Sequence, residues 1–466
     1  MRWTVQEIVK VTGGTLLRGD PARFVERFST DSRTLEPGEW FVPLRGERFN
    51  GHDFLEAALD RGAVGAFAAH EEASARRDVL NRYPHAILVD DPLEALIALA
   101  RSARSAFSGP VVGITGSNGK TTAKEFTAAV LGPEALKAPA SFNNRIGVAR
   151  TLIALSPQSH RFVVCELGTN HPGEIAELVK IVQPTIGVFL NVGPVHLEFF
   201  KDEEAIAEEK SCLPKSSEWA VLNADDPRVI RYAPECRNVL TFGRSEGAEV
   251  RAGLVTLDEL GRPTFELIVR GDRVGRVGLR ANGAHHVVNA LAAAAVGVLC
   301  GVPGEALLQR LADAEPPPMR TQRLTLHGVE WIHDAYNANL PSVRAALELF
   351  RRVPAAGRRW VILGEMAELG AAAEDHHRAA AGALSPDWCD VFVAVGPYAD
   401  AMAQAAQKAG VLAIFRFPTV EEVCESLPEM LAPGDLVLLK GSRRARMERI
   451  VERFACEGGA ITLKAP

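Results

Sequence analysis

The segment GITGSNGKTT, residues 113–122, carries the clearest chemical pattern in this sequence. It stands between the apolar run VVGIT and the helix-like segment KTTAKEFTAAVL. A glycine-rich turn between a strand and a helix presents backbone N–H groups to phosphate oxygens. There Lys120 would neutralise the β and γ phosphates of a nucleotide, and Thr121 would bind Mg²⁺. The common pattern G-x-x-x-x-G-K-[ST] has glycine where Ile114 stands. A tight glycine turn with an exposed lysine is the alternative.

An acidic and an imidazole side chain follow the next two predicted strands. Glu166 ends the run RFVVCEL (161–167), and His196 follows TIGVFLNV (185–192). Magnesium on nucleotide phosphates needs an acid at the end of a neighbouring strand, so Glu166 is a candidate ligand, with a solvated glutamate as the alternative. Imidazole is a poor ligand for a hard cation. The spacing alone therefore favours a hydrogen-bonded loop histidine at 196.

Two polar segments lie in the last third of the chain. The first, HDAYNAN (333–339), follows the strand-like run VEWIH, and open α/β sheets bind ligands at such strand ends; an Asn-rich turn is the alternative. The second, KGSRRARMERI (440–450), places Lys440 and Arg443 at a strand-to-helix junction suited to a carboxylate or phosphate. The remaining arginines there are more typical of a solvated helix face.

Short apolar runs that alternate with amphipathic helices must position these groups. This pattern predicts an α/β protein with a mostly parallel, doubly wound central sheet. We expect three domains: a small α+β domain over residues 1–83, a central P-loop domain over 84–316, and a Rossmann-like α/β domain over 317–466. The proline cluster EPPPM (315–319) marks the second boundary.

Composition and charge exclude several classes of protein. The 466 residues carry a net charge of −6 without a large basic block, which argues against nucleic-acid binding. Thr4 and Glu7 form a capping-box pattern for a helix ending at Gly13, so the N-terminus is expected to be structure and not a targeting signal. The run ALAAAAVGVLCGV (290–302) is shorter than the ~18 residues of a membrane span and predicts a buried helix.

The seven cysteines stand alone, with no C-x-x-C pair. This usage predicts reduced, mostly buried thiols in a cytoplasmic protein, with neither disulfides nor a structural zinc site.

Together these segments resemble the Mur ligases over nearly the whole chain. The family loop G-x-T-G-[ST]-x-G-K-[ST] matches residues 113–121 and explains the spacing. The strings DAYNAN (334–339), GEMAELG (364–370) and KGSR (440–443) resemble the member that joins D-alanyl-D-alanine to UDP-N-acetylmuramoyl-tripeptide. The resemblance implies a cytoplasmic, monomeric enzyme acting on these small molecules.

The resemblance also implies roles for individual residues. The ATP site would comprise Gly116, Ser117, Asn118, Gly119, Lys120, Thr121, Thr122, His285, Asn289, Arg320, Asp334 and Asn337. The substrates would contact Ser29, Thr30, Asp31, Ser32, Arg33, Arg45, Gly46, Asn50, His52, Asn143, Asn144, Tyr336, Asn339, Lys440 and Arg443. In this assignment the N-terminal residues bind the UDP end, Asn143 and Asn144 face the muramoyl-peptide, and Arg443 is the candidate for the dipeptide carboxylate.

Catalysis is assigned by the same resemblance to Lys120, Glu166, His196 and Lys210. Two magnesium ions would be bound by Thr121, Glu166, His196 and Lys210. Lys210 aligns with the lysine that these ligases carbamylate, and a carbamate is an anionic oxygen ligand where an ammonium would repel Mg²⁺.

Five positions depart from the family pattern: Ala149, Pro214, His286, Leu340 and Glu365. They leave open the adenine contact at His286 and the local geometry around Lys210. The implied reaction passes through an acyl phosphate and a closing cleft. The alternatives are another Mur-type or folylpolyglutamate-type ligase, a P-loop switch ATPase, and a degenerate ligase fold that only binds.

Overall fold

A computed structural model of the chain describes residues 1–46 and 49–457. Its described residues form sheets of five, nine and six strands, and a separate two-stranded pair. Parallel pairing predominates, as expected from the alternation of strands and helices along the chain. The predicted α/β class with mostly parallel sheets is confirmed.

The N-terminal unit contains the five-stranded sheet in the order β2-β7-β6-β5-β4, with only β2 antiparallel to its neighbour. Its strands are β1 Trp3–Thr4, β2 Thr15–Arg18, β3 Phe24–Val25, β4 Phe28–Ser29, β5 Trp40–Phe41, β6 Gly65–Ala69 and β7 Ala86–Val89. Its helices are α1 Val5–Thr12, α2 Leu55–Asp60 and α3 Arg77–Arg82.

The predicted start and end of α1 are confirmed. Thr4 and Glu7 form the capping box, and Gly13 ends the helix in the left-handed region at φ 67°. Strand β7 lies in the N-terminal sheet, although it begins three residues beyond the predicted boundary at residue 83. The division of the chain at 83 and 316 stays a prediction.

The central unit contains the nine-stranded sheet in the order β16-β15-β14-β13-β12-β11-β8-β10-β9. Its strands are β8 Val111–Thr115, β9 Ala135–Lys137, β10 Phe162–Glu166, β11 Ile186–Phe189, β12 Trp219–Asn223, β13 Val239–Gly243, β14 Val250–Leu257, β15 Pro263–Val269 and β16 Asp272–Gly278. Its helices are α4 Pro92–Ser105, α5 Lys120–Leu131, α6 Arg145–Ile153, α7 Glu174–Val182, α8 Glu203–Lys215, α9 Pro227–Ile230, α10 His286–Leu299 and α11 Gly304–Asp313.

Strand register in this sheet brings the predicted ligand residues to one edge. Ile114 of β8 lies opposite Glu166 of β10 on one side and Val188 of β11 on the other, all in parallel pairs. The loops that follow these three strands therefore leave the sheet at the same edge, where α/β folds bind ligands.

The alanine-rich segment forms α10, which is buried along most of its length and packs in one core with α5. Small side chains let the two helices approach closely: a Cβ at Gly297 would lie 2.6 Å from Val130 of α5. The predicted buried helix is confirmed. Among the described residues, we find no helix that is both long enough and apolar enough to cross a membrane.

The C-terminal unit contains the six-stranded sheet in the order β17-β18-β22-β19-β20-β21, with only β17 antiparallel to its neighbour. Its strands are β17 Gln322–Leu326, β18 Val329–Asp334, β19 Arg359–Leu363, β20 Val391–Val395, β21 Ala413–Phe417 and β22 Leu436–Lys440. Its helices are α12 Leu340–Arg352, α13 Ala373–Ala381, α14 Ala399–Lys408, α15 Val420–Met430 and α16 Glu448–Glu457.

All seven cysteines are free thiols, as predicted, but most are not fully buried. Only Cys165 and Cys389 are buried, whereas Cys456 is exposed and the other four are partly accessible. The expectation of mostly buried thiols is therefore corrected: four of these cysteines lie on helices or loops at the edge of a core and not inside it.

Candidate active site

The glycine-rich loop joins β8 to α5 and presents the first turn of α5 to a cavity. Gly119 precedes that helix at φ 82°, and a Cβ there would lie 2.3 Å from Asn289 Oδ1 of α10, so only glycine fits. Lys120 Nζ donates to the carbonyl of Gly116 at 2.8 Å. Burial lowers the pKa of Lys120 from its usual value. The loop thus offers helix N–H groups and an ammonium to an anion.

Glu166 lies at the floor of this cavity and is 2% exposed. One carboxylate oxygen accepts from the Thr121 hydroxyl at 2.8 Å, and the other accepts from the Asn143 amide at 2.9 Å. A hydroxyl and a carboxylate are hard oxygen ligands suited to Mg²⁺. Within the described residues no group of three His, Cys, Asp or Glu side chains could hold a metal. A magnesium ion here would take its other ligands from a nucleotide and water.

Lys210 of α8 does not line the cavity. It is 1% exposed, and burial together with the nearby Lys120 ammonium lowers its pKa well below the usual value. A buried ammonium close to a second ammonium is unfavourable. This environment therefore favours a neutral amine at Lys210.

His196 connects the central and C-terminal units. It adopts a left-handed conformation at φ 55°, and its Nδ1 is hydrogen-bonded to the carboxylate of Glu368. The backbone N–H of Glu198 also donates to the Glu368 carbonyl, at 3.3 Å. The hydrogen bond with His196 holds the pKa of Glu368 below its usual range. The structure thus shows the hydrogen-bonded loop histidine that the spacing favoured, while its role as a magnesium ligand stays a prediction.

Arg320 brings a second contact from the C-terminal unit to the nucleotide loop. Its guanidinium donates to the Thr121 hydroxyl at 2.8 Å and stacks 4.4 Å from the centre of the Tyr336 ring. The flanking residues Met319 and Thr321 both adopt left-handed conformations, at φ 57° and 50°. Such backbone strain is maintained only where the surroundings fix it, so Arg320 is held in place.

The DAYNAN segment faces the same loop. Asn339 donates from its side-chain amide to Asn118 Oδ1 at 2.6 Å. Lys440, which is buried, donates to Asp334 Oδ2 at 2.6 Å and to the Asn337 carbonyl at 3.0 Å. In this arrangement Lys440 fixes the segment, because Asp334 already pairs with its ammonium.

Two histidines line the far end of the cavity. His285 lines the cavity and is exposed to it. The neighbouring His286 is buried, with its Nε2 hydrogen-bonded to Thr321 Oγ1 at 3.1 Å. The departure at His286 is therefore accommodated as a buried support for Thr321, and burial lowers the pKa of this ring well below its usual value.

Most of the predicted residues of the central and C-terminal units line one cavity of about 950 Å³. They are Ser117, Asn118, Gly119, Lys120, Thr121, Thr122, Asn143, Asn144, Glu166, His196, His285, Asn289, Arg320, Asp334, Tyr336, Asn337, Asn339, Lys440 and Arg443. Gly116 lies in the loop but not on the cavity surface.

The N-terminal residues predicted to contact substrate lie outside this cavity. Arg33 pairs with Asp31 through two hydrogen bonds and lowers the pKa of that carboxyl to about 2. The other members are Ser29, Thr30, Ser32, Arg45, Gly46, Asn50 and His52.

One of these residues does not fit a direct contact. His52 is 2% exposed, its Nε2 accepts from the Ala69 N–H at 3.0 Å, and its Nδ1 lies 2.8 Å from Asn50 Oδ1. Both ring nitrogens are occupied, so the prediction of a substrate ligand at His52 is corrected to a support for Asn50.

Comparisons with known proteins cover all three units. Three family models match the chain: "Mur ligase family, catalytic domain" at residues 25–104, "Mur ligase middle domain" at 114–297, and "Mur ligase, glutamate ligase domain" at 319–443. A Mycobacterium bovis protein named "UDP-N-acetylmuramoyl-tripeptide--D-alanyl-D-alanine ligase" is 35% identical over 97% of this chain and 98% of its own length. The chain belongs to the Mur ligase family.

Solved structures extend this result to the fold of the Mur ligase. A crystal structure of MurF from Acinetobacter baumannii is 29% identical, with a TM-score of 0.84 over 98% of this chain and 99% of that one. MurF ligase from Thermotoga maritima, solved in complex with ADP, is 30% identical, with a TM-score of 0.77 over 93% and 98% of the two chains. The predicted family and fold are confirmed.

Among the cavity-lining residues of this Mur ligase that sequence reasoning missed are Glu368 and Ser141. Glu368 lies inside the GEMAELG string, and Ser141, which is hydrogen-bonded to the Tyr336 hydroxyl, directly precedes FNNRIG. The available signal was that GEMAELG is a family signature and that Ser141 lies two residues before Asn143, a predicted site residue. The sequence around them does not indicate their hydrogen-bond partners, because His196 is 172 residues from Glu368 and Tyr336 is 195 residues from Ser141.

We expect Arg320→Lys to weaken binding of Mg-ADP about tenfold, measured by isothermal titration calorimetry. Lysine keeps the charge but loses the planar fork that stacks on Tyr336 and reaches Thr121, and a charged hydrogen bond contributes ~1.5–3 kcal/mol. Arg323→Lys is the matched control, because Arg323 pairs with Glu330 at 2.9 Å within its own sheet. Unchanged ADP affinity in Arg320→Lys, or equal losses in both variants, would contradict this role.

Proposed function

We propose that this chain is an ATP-dependent ligase of peptidoglycan precursor synthesis that joins D-alanyl-D-alanine to UDP-N-acetylmuramoyl-tripeptide. The observation that carries the proposal is the convergence of Thr121, Glu166 and Arg320, from both halves of the cleft, on one cavity at the phosphate loop. The substrates are supported by full-length relatives that are named for this reaction.

The reaction needs activation because a carboxylate is a poor electrophile. A terminal carboxylate oxygen of the tripeptide attacks the γ-phosphorus of ATP, a new P–O bond forms, and the bond to the β-phosphate oxygen breaks to release ADP. The amine of D-alanyl-D-alanine then attacks the acyl carbon, the C–O bond breaks, phosphate leaves, and the nitrogen loses one proton to the departing phosphate or to water. An α-amino pKa of about 7.7–8.0 leaves a useful neutral fraction at pH 7, so no strong general base is required.

The chain's own groups handle the charge in this transfer. The α5 N–H groups and Lys120 hold the phosphates, and the carboxylate oxygen is oriented by the loop carrying Asn143 and Asn144. Thr121 and Glu166 would hold one Mg²⁺. The family resemblance assigns a second ion to His196 and to a carbamate on Lys210. When bound, magnesium withdraws electron density from the transferred phosphoryl group and offsets its charge.

The incoming dipeptide is assigned to the C-terminal face of the cavity. Arg443 lines it and pairs with Glu448 at 3.0 Å, and its guanidinium fork suits a carboxylate. The UDP end is assigned to the N-terminal unit, where the Asp31 and Arg33 pair is accessible. Because ATP and UDP-linked sugars are made in the cytoplasm, we place the reaction there. We also propose that the enzyme acts as a monomer.

Closure of the cleft protects the acyl phosphate from water. Contacts from Arg320, Asn339 and Glu368 of the C-terminal unit to the central unit are already made. In this arrangement the dipeptide site faces the phosphate loop across one cavity, as attack on an acyl phosphate requires.

The direct test measures ADP release by the purified chain with Mg-ATP, adding UDP-N-acetylmuramoyl-tripeptide and D-alanyl-D-alanine separately and together. We expect release only when both are present, with an amide-linked pentapeptide product by mass spectrometry. Release that needs neither acceptor would favour a P-loop switch ATPase. Release with a different acceptor, such as a folate or a single amino acid, would favour another ligase of this fold.

Carbamylation of Lys210 has its own test. A neutral buried amine adds CO₂ to form a carbamate with loss of a proton, and the lowered pKa of Lys210 favours that neutral amine. We expect activity to fall in CO₂-depleted buffer and return with bicarbonate, and ¹³CO₂ to give a carbamate resonance by ¹³C NMR. Lys210→Ala should lose both, while Lys215→Ala, a partly exposed lysine of the same helix, should keep both. A labelled signal that survives Lys210→Ala would contradict the assignment.

A further inference from the structure

Lys124 is a buried lysine to which the reaction described above gives no role. It lies on α5, one helical turn after Lys120, and its side chain is 0% exposed. Its Nζ donates to the carbonyl of Ala138 at 2.6 Å and to the carbonyl of Ala140, and it lies 3.0 Å from Glu125 Oε1. Two backbone carbonyls therefore accept from this buried ammonium, and a carboxylate lies within ion-pair distance of it. Because a buried charge without partners is unfavourable, Lys124 holds in place the segment that supplies these carbonyls.

The acceptors belong to a tight turn. Phe142 N–H donates to the Pro139 carbonyl at 3.1 Å, and Ala140 has a left-handed φ of 43°. Left-handed conformations are unfavourable for alanine, so this turn needs an external constraint. Lys124 binds the carbonyl of the strained residue Ala140 itself and the carbonyl of Ala138, two residues before it.

The residues that follow this turn enter the cavity. Ser141 is hydrogen-bonded to Tyr336, and Asn143 donates to Glu166. Asn144 caps α6 by accepting from the Gly147 N–H at 2.9 Å. The loop 138–144 thus contacts the C-terminal unit, the floor of the site and the start of a helix within four residues.

We propose that Lys124 is a positioning residue that ties the loop 138–144, and with it the acceptor-substrate site, to the helix that holds the nucleotide phosphates. Helix α5 presents Lys120 and Thr121 at its first turn and Lys124 at its second. A shift of this helix is therefore transmitted to the loop through the two carbonyls. This inference rests on the proposed function, which assigns the loop to the muramoyl-peptide.

The test separates substrate binding from nucleotide binding. Lys124→Met keeps the length and apolar stem but supplies no donor. We expect its Kd for UDP-N-acetylmuramoyl-tripeptide, by calorimetry in the presence of Mg-ADP, to rise at least tenfold, while its Kd for Mg-ADP stays within about twofold of wild type. Lys137→Met is the control, because Lys137 is half-exposed and pairs with the same Glu125; both constants should be unchanged.

Lys124→Gln covers the case in which the methionine variant does not fold. Its amide can donate to one carbonyl, so we expect an intermediate loss of substrate affinity with unchanged Mg-ADP affinity. Unchanged substrate binding in a folded Lys124 variant would overturn the inference, as would equal losses for substrate and Mg-ADP, which indicate general destabilisation. A wild-type chain that binds Mg-ADP but no UDP-N-acetylmuramoyl-tripeptide would instead overturn the proposed function, and this inference with it.

Discussion

The buried carboxylate of Glu166 is the group on which the arrangement of the cleft depends. It ends β10 beside the strand that leads into the phosphate loop, and it accepts from Thr121 on one oxygen and from Asn143 on the other. Burying a carboxylate without partners is strongly unfavourable, so the carboxylate and its two donors fix one another. Through Thr121 the same network reaches Arg320 of the C-terminal unit. One buried group thus relates the nucleotide loop, the substrate loop and the closing domain.

Positive charge is the second constraint on this site. Lys120 lines the cavity and Lys210 is buried, and burial together with repulsion from Lys120 lowers the pKa of Lys210. A triphosphate would relieve this repulsion on the Lys120 side, and a carbamate would remove it on the Lys210 side. The cavity is therefore suited to a polyanion, and the Arg320 guanidinium, which is stacked on Tyr336, adds a further positive charge to its lining.

Sequence patterns predicted the parts of this molecule that are local in the chain. The strand, glycine turn and helix around Lys120, the capping box at Thr4 and the buried alanine-rich helix all follow from spacing and residue type within about a dozen positions. Parallel strand order also placed Glu166 correctly, because strand ends converge at one edge.

Long-range partners could not be predicted in the same way. The contact of His196 with Glu368 joins two domains, and the buried ring of His52 looks in sequence like any loop histidine. Lys124 differs from a surface lysine only through the turn that covers it. Which side chains meet across a cleft depends on tertiary packing, which one sequence does not encode in its periodicity.

The central claim is that a substrate carboxylate, and not water, attacks ATP in this cleft. It is tested most directly by labelling the terminal carboxylate of the tripeptide with ¹⁸O and analysing the released phosphate by mass spectrometry. The account predicts one ¹⁸O atom in each phosphate. When the amine displaces phosphate from the acyl carbon, the former carboxylate oxygen that bridges carbon and phosphorus leaves with the phosphate. Phosphate that carries no label, released while the amide product forms, would contradict it.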